Sequence, residues 1–170
     1  MIPGVDYYPE KTNVNTVSKA SKILVELKLI KNRGYCLDWG GGKYNTNTEY
    51  LLKHNIISFV YDPYARNKEH NKTVLKNIKK YNIDVVLLSN VLNVTPNKTE
   101  RIDTIKKAFS YLKRGGYLII TVYKSKKRGL TKKKTWQEGR KLDDYLNEIY
   151  LAIGNNIILK KIKNSFIIQK

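Results

Sequence analysis

The sequence predicts an α/β three-layer sandwich: a mostly parallel sheet covered by helices, with a C-terminal antiparallel hairpin at one edge. Three observations carry this. Short apolar runs without polar alternation, such as Val85–Leu88 and Leu118–Ile120, read as strands buried on both faces. Amphipathic segments at helical spacing separate them. Loops bearing glycines or acids stand at the ends of the runs, where open α/β sheets bind ligands.

The elements follow in chain order. The first dozen residues read as an irregular arm. Asn15 to Asn32 reads as a helix, with Val17, Ile23, Leu24, Leu27 and Ile30 at helical spacing and Gly34 after a basic last turn. Tyr35–Asp38 is a short strand, Trp39–Lys43 a glycine loop, and Asn47 or Thr48 a cap for a short helix to His54. Ile56–Tyr61 is a second strand, ended by Asp62-Pro63. Between Glu69 and Tyr81 a helix competes with a short strand at Thr73–Leu75. Asp84–Leu88 is a buried strand closed by Ser89-Asn90. Thr95 or Asn97 opens a helix through about Leu112, and Gly115-Gly116 turns the chain into the strand Tyr117–Tyr123. A basic loop, Lys124–Lys134, precedes a helix over Trp136–Ala152, and Ile157–Ile162 with Phe166–Ile168 forms the closing hairpin.

Composition narrows the classes. At 170 residues the chain suits a single domain over 1–170, with 41% hydrophobic residues for a core. No apolar run approaches the roughly 20 residues of a membrane-spanning helix, and Met1–Glu10 lacks the character of a signal peptide. The one cysteine, Cys36, excludes an intrachain disulfide and a cysteine-based zinc site. The expectation is a soluble, cytoplasmic protein with no metal and no membrane partner. Net charge is +19, from 33 basic and 14 acidic residues. AT-rich coding favours Lys, Asn, Ile and Tyr, but it would favour Asp and Glu too, so the imbalance reads as partly selected. Such a domain attracts polyanions, which points to nucleic acid.

Three loops define a nucleotide-type site. Leu37-Asp38-Trp39-Gly40-Gly41-Gly42 follows a strand and precedes a helix, a place where glycines admit close backbone approach. Asp62, 24 positions after Asp38, ends the second strand, where an acid can take both hydroxyls of a ribose. Ser89–Asn93 is the third loop. A dinucleotide fingerprint would need a glycine where Asn45 stands, and a phosphate-binding loop would need Ser or Thr where Tyr44 stands.

These segments together resemble the class I, Rossmann-like S-adenosylmethionine-dependent methyltransferases. Tyr61-Asp62-Pro63-Tyr64, Asp84–Val94 and Leu112–Ile120 match in order, over about Tyr35 to Tyr123. Asp-Pro-Tyr, Ser-Asn-Val-Leu-Asn-Val and Thr135–Arg140 are similar to small methyltransferase-like proteins of phages and DNA-modification islands. The resemblance implies S-adenosylmethionine as cofactor. Gly40 and Gly42 would lie against its methionine part and Asp38 near its amino group. Asp62 would take the ribose, Pro63-Tyr64 wall the adenine, and Ser89 and Asn90 border the departing methyl. The family's third-strand motif is hard to find.

The acceptor is less legible. The Pro-Pro-aromatic pattern of amino-group DNA methylases is missing after Ser89-Asn90, and Cys36 sits in a core strand rather than at a nucleophile's position. Asn90 and Asn93 are the candidate catalytic residues, with strand-end capping as the competing role. His54 reads as a surface or capping residue, and His70 as a weak candidate for the pocket. The basic segment supplies Lys124, Lys126, Lys127, Arg128, Lys132, Lys133 and Lys134, seven cations flanked by Tyr123 and Trp136. Cations with aromatics suit nucleic-acid contacts; a solvated loop is the alternative. The expected activity is methylation of DNA or RNA, with a partner subunit for target choice. The other reading is a cofactor-binding or cofactor-consuming regulatory or anti-restriction protein.

Overall fold

The computed structural model describes residues 6–155 and 157–170; residues 1–5 of the expected arm lie outside them. The chain runs α1 (Lys19–Glu26), β1 (Gly34–Trp39), α2 (Thr46–Leu52), β2 (Ile56–Tyr61), α3 (Lys68–Ile78), β3 (Ile83–Ser89), α4 (Lys98–Ser110), β4 (Leu112–Thr121), β5 (Gly129–Leu130), β6 (Trp136–Gln137), α5 (Leu146–Ile153), β7 (Ile158–Ile162) and β8 (Ser165–Gln169). Six strands form one sheet in the order β2-β1-β3-β4-β8-β7. The first four are parallel, while β8 and β7 are antiparallel. The three-layer sandwich and its hairpin edge are as the sequence predicts.

Burial on both faces explains the unalternating strands. Leu37, Val86, Leu88, Leu118 and Ile120 pack toward α3, α4 and α5 with Ile78, Ile105 and Ile149. Cys36, Val85, Leu87 and Ile119 pack toward α1 and α2 with Leu24 and Leu51. The family's third strand, whose motif is hard to find in the sequence, has no counterpart among the described residues. Only α3 lies between β2 and β3 in the chain, and β2 is one edge of the sheet, β7 the other. No described helix is long and apolar enough to cross a membrane.

Several boundaries differ from the sequence reading. The first helix starts at Lys19, not Asn15, because the Ser18 side chain caps it by accepting from Ser21 N–H. It ends at Glu26, before Lys28 takes a positive φ of 48°. Asn47 is no cap: its side chain bonds Asp38 and the Ser18 N–H instead. Asn97 does cap α4, accepting from Thr99 and Glu100. Thr73–Leu75 lies within α3. Strand β4 begins at Leu112, and its pairing with β3 shifts register beside Gly115 and Gly116.

The largest correction lies between Tyr123 and Leu146. The expected loop and the first part of the expected helix form a small hairpin, β5 with β6, followed by a 3-10 turn at Leu142–Tyr145. Gly139 has a φ of 68°, and a Cβ there would meet the Arg128 backbone at 2.8 Å, so no helix can run through it. Long-range ion pairs hold the segment. Glu138 pairs with Arg101 at 3.3 Å and takes the Trp136 indole N–H at 2.7 Å. Buried Arg101 also forks onto Glu148 of α5, which receives Arg140 as well.

Candidate cofactor site

The chain lays β2 on one side of β1 and β3 on the other, which opens a crevice at the carboxyl ends of β1 and β3. All three predicted loops meet there. Asp38 of β1 is 1% exposed, and its Oδ2 accepts a hydrogen bond from Asn47 Nδ2 at 2.8 Å. Burial pushes its carboxyl up to about 6; the Asn47 bond and Arg66 oppose that, and Asp62 adds to it.

The glycine loop is tight. Gly40 and Gly42 have φ of 79° and 74°, which side-chain-bearing residues rarely adopt. A Cβ would lie 2.6 Å from Val91 at Gly40, 2.7 Å from the Asp38 carboxylate at Gly41, and 2.5 Å from Asn13 Oδ1 at Gly42. Asp62, also buried, ties this loop to the next. Its Oδ2 accepts from Gly42 N–H at 2.9 Å, and its Oδ1 accepts from Tyr64 and Ala65 N–H at 2.9 and 2.8 Å. A carboxylate offers about four acceptor positions, so one remains for a ligand hydroxyl. Arg66 reinforces the link by donating to Gly42 O and Asn45 Oδ1.

Pro63 and Tyr64 are exposed beside this loop. The Tyr64 hydroxyl donates to Glu100 at 3.0 Å, and burial with that carboxylate pushes its phenol up to about 12. Ser89 Oγ lies 3.1 Å from Thr121 Oγ1. The two asparagines part company. Asn90 is exposed on the rim in the left-handed region, φ 59°. Asn93 is 1% exposed; its amide donates to Gln137 and accepts from Tyr123 N–H, which joins the turn after β3 to β6 and to the segment that leaves β4. Asn93 therefore holds the scaffold, and Asn90 is the one that a substrate can reach.

Other candidates settle into structural roles. His70 Nε2 bonds Val60 O at 2.8 Å, at the end of β2. His54 packs edge-on against Tyr50. Cys36 is fully buried, and burial pushes its thiol up. Among the described residues no cluster of His, Cys, Asp or Glu could hold a metal ion. Of the basic segment, Arg128 meets Glu138 and the Trp136 ring, and Lys134 meets Asp6. Lys132 and Lys133 are exposed on the turn of the β5–β6 hairpin, and Lys124, Lys126 and Lys127 on the segment that leads into it from β4.

The N-terminal arm is a part of the site that sequence reasoning missed. The Tyr7 hydroxyl donates to Val94 O, Tyr8 N–H to Lys134 O, and Lys43 N–H to Asn13 Oδ1. The arm thus crosses the rim from the β5–β6 hairpin to the glycine loop. No periodicity marks such a segment; its clustered Tyr and Asn residues were the one available sign.

No protein-family model matches the chain, and no curated protein sequence matches it. Solved structures do match in fold. One is a sugar N-methyltransferase from a Streptoalloteichus species, at 11% identity and TM-score 0.60, over 89% of this chain and 86% of that one. Another is the 1,6-didemethyltoxoflavin-N1-methyltransferase of Burkholderia thailandensis, solved with S-adenosylhomocysteine, at 14% identity and TM-score 0.56, over 88% and 74%. Human N-acetylserotonin methyltransferase, solved with S-adenosylmethionine, matches at 14% identity and TM-score 0.53, and the chain spans half of its length. With the strand order and the switch-point crevice, these likenesses establish that the chain has the Rossmann-like fold of S-adenosylmethionine-dependent methyltransferases.

Proposed function

We propose that the protein is an S-adenosylmethionine-dependent methyltransferase that acts on nucleic acid. The observation that carries the cofactor is the junction of Asp38, the glycine loop and Asp62 at the switch point. The residues fit that group. Asp38 is a buried acid that forms no ion pair among the described residues, suited to an ammonium. The loop around Gly40–Gly42 leaves backbone as its only surface, and Asp62 retains an acceptor position for a ribose hydroxyl. Entry requires Asn13 to leave Gly42. The bound cofactor supplies a methyl group on a positively charged sulfur. Ser89 and Asn90 border the place where an acceptor would present its atom, and the enzyme's task there is chiefly positioning.

The acceptor class rests on charge. The chain carries +19, and the exposed lysines of the β5–β6 hairpin stand on the rim that holds the site. The similarity of Asp62-Pro63-Tyr64 and Thr135–Arg140 to proteins of phages and DNA-modification islands agrees with that class. The solved proteins named above act on small molecules by their descriptions, so the acceptor is where the test must bear. Calorimetric titration with S-adenosylmethionine and S-adenosylhomocysteine is expected to give saturable micromolar binding. Labelled methyl should then reach DNA or RNA, not protein. No binding at millimolar ligand overturns the cofactor; label confined to small molecules overturns the acceptor. Binding without transfer to any pool would favour the regulatory reading, which the scaffold role of Asn93 supports.

A further inference from the structure

A second basic surface lies away from the β5–β6 hairpin, at the opposite flank of the crevice. Helix α3 carries Lys68, Lys72 and Lys76, and Lys79 follows at its C-cap, all exposed. At 3.6 residues per turn they fall within roughly 80° of one face, along about 16 Å of helix. Glu69 is the one acid of α3, and among the described residues none of the four lysines joins an ion pair. Like charges spaced by four along a helix repel, so α3 holds this stripe at a cost to its own stability.

The stripe lines a groove of about 560 Å³ whose apolar lining is Tyr61, Pro63 and Leu75. Tyr61 is held in place by stacking on Trp39, with ring centroids 4.2 Å apart. The groove runs beside β2, one of the sheet's two edge strands. Lysine stems alone can cover apolar surface, which would account for one or two of them. Four unpaired cations beside a fixed aromatic ring instead match the pattern by which single strands are held: charges along the backbone and a ring on which a base stacks.

We propose that the α3 groove binds a single-stranded segment of nucleic acid, which continues across the rim to the β5–β6 hairpin. β2 and β4 are three strand spacings apart, about 14 Å, so one short strand can touch both surfaces. This inference rests on the nucleic-acid reading above and adds to it a second contact surface and a strand preference.

The test is fluorescence anisotropy with a labelled oligothymidylate of about 16 nucleotides, the upper range for one small domain. The full chain is compared with three charge-reversed pairs: Lys72→Glu with Lys76→Glu in the groove, Lys126→Glu with Lys133→Glu in the hairpin and the segment leading into it, and Lys19→Glu with Lys22→Glu on α1 as the charge-matched control. The groove pair is expected to lose about tenfold or more in affinity, and its salt slope should fall by about 1.4, the share of two contacts to a single strand. The α1 pair should lose much less. If the groove pair behaves like the α1 pair while the hairpin pair carries the loss, the groove is wrong and the acceptor reading stands. If the unaltered chain binds no oligonucleotide at low salt yet binds S-adenosylmethionine, the acceptor reading itself fails, and the groove with it. Tighter binding of the duplex form overturns the strand preference.

Discussion

Replacing Asp38 by asparagine should make the protein more stable and less functional. Burial pushes the Asp38 carboxyl up to about 6, against 3.8 for an unperturbed group. Between about pH 4 and pH 6 the folded protein holds a proton that the unfolded chain has released. Stability from this group is therefore full at low pH and falls as pH rises through 6. The shift of about two pH units corresponds to about 3 kcal/mol of destabilisation at neutral pH. An asparagine keeps an acceptor oxygen for Asn47 and removes the buried charge. Urea unfolding of Asp38→Asn at neutral pH should show a gain of up to about 3 kcal/mol, and the loss of stability between pH 4 and 6 should shrink by that amount. The same variant should lose affinity for S-adenosylmethionine, since the acid proposed to meet its ammonium is gone. In the unaltered chain, that affinity should fall about tenfold per pH unit below 6, where the carboxyl must give up a proton first. A variant less stable than the parent, with the pH dependence unchanged, would refute the placement of an uncompensated charge here.

Three further outcomes can be checked by unfolding and ligand titration. Glu148→Ala should cost up to about 3 kcal/mol, because it removes the bidentate partner of buried Arg101 and leaves it only the longer contact to Glu138; Arg101→Met with Glu148→Leu should recover most of the loss. Burial draws the Glu148 carboxyl up, but bonds from Arg101 and Arg140 prevail and hold it below 4.5. Its contribution is present above that pH and lost as pH falls through the folded value, so Glu148→Ala should flatten the acid limb of the stability curve. Gly40→Ala should cost about 1–2 kcal/mol from the left-handed backbone alone, more from the Val91 clash, and should abolish cofactor binding. Asp62→Asn keeps the bonds to Tyr64 and Ala65 if its oxygen takes the Oδ1 place. It sets an amide against Gly42 N–H, so cofactor binding should fall further than stability does.

The sheet was legible because its strands are apolar on both faces; Tyr35–Asp38, Ile56–Tyr61 and Asp84–Leu88 need no context to be recognised. The three loops were legible because glycine and acid residues stand where strands end. Context decided the rest. Trp136–Arg140 has the composition of a helix start, but Glu138 spends its carboxylate on Arg101 and Trp136, and Gly139 turns the chain. Only Gly139 hinted at this locally. Asn90 and Asn93 look equivalent in sequence, yet one caps the rim and the other is sealed beneath Gln137. The arm was invisible because its bonds run to residues about 30 to 130 positions away.

That arm has a consequence for affinity. Asn13 Oδ1 accepts from Lys43 N–H and covers Gly42, so on the proposed cofactor reading it stands where the cofactor would approach the loop, and it is covalently attached. It therefore competes as a tethered rival whose local concentration never dilutes. Any measured dissociation constant is the intrinsic one divided by the fraction of molecules with the arm swung away, so a closed state favoured about a hundredfold weakens binding about a hundredfold. The far end of the arm is anchored to Lys134 of the basic hairpin. A polyanion that draws Lys134 from Asp6 would loosen that anchor and raise the open fraction. On that reading a polyanion and the cofactor would reinforce each other's binding through the arm, beyond any direct contact between them, and by linkage the effect must run equally in both directions.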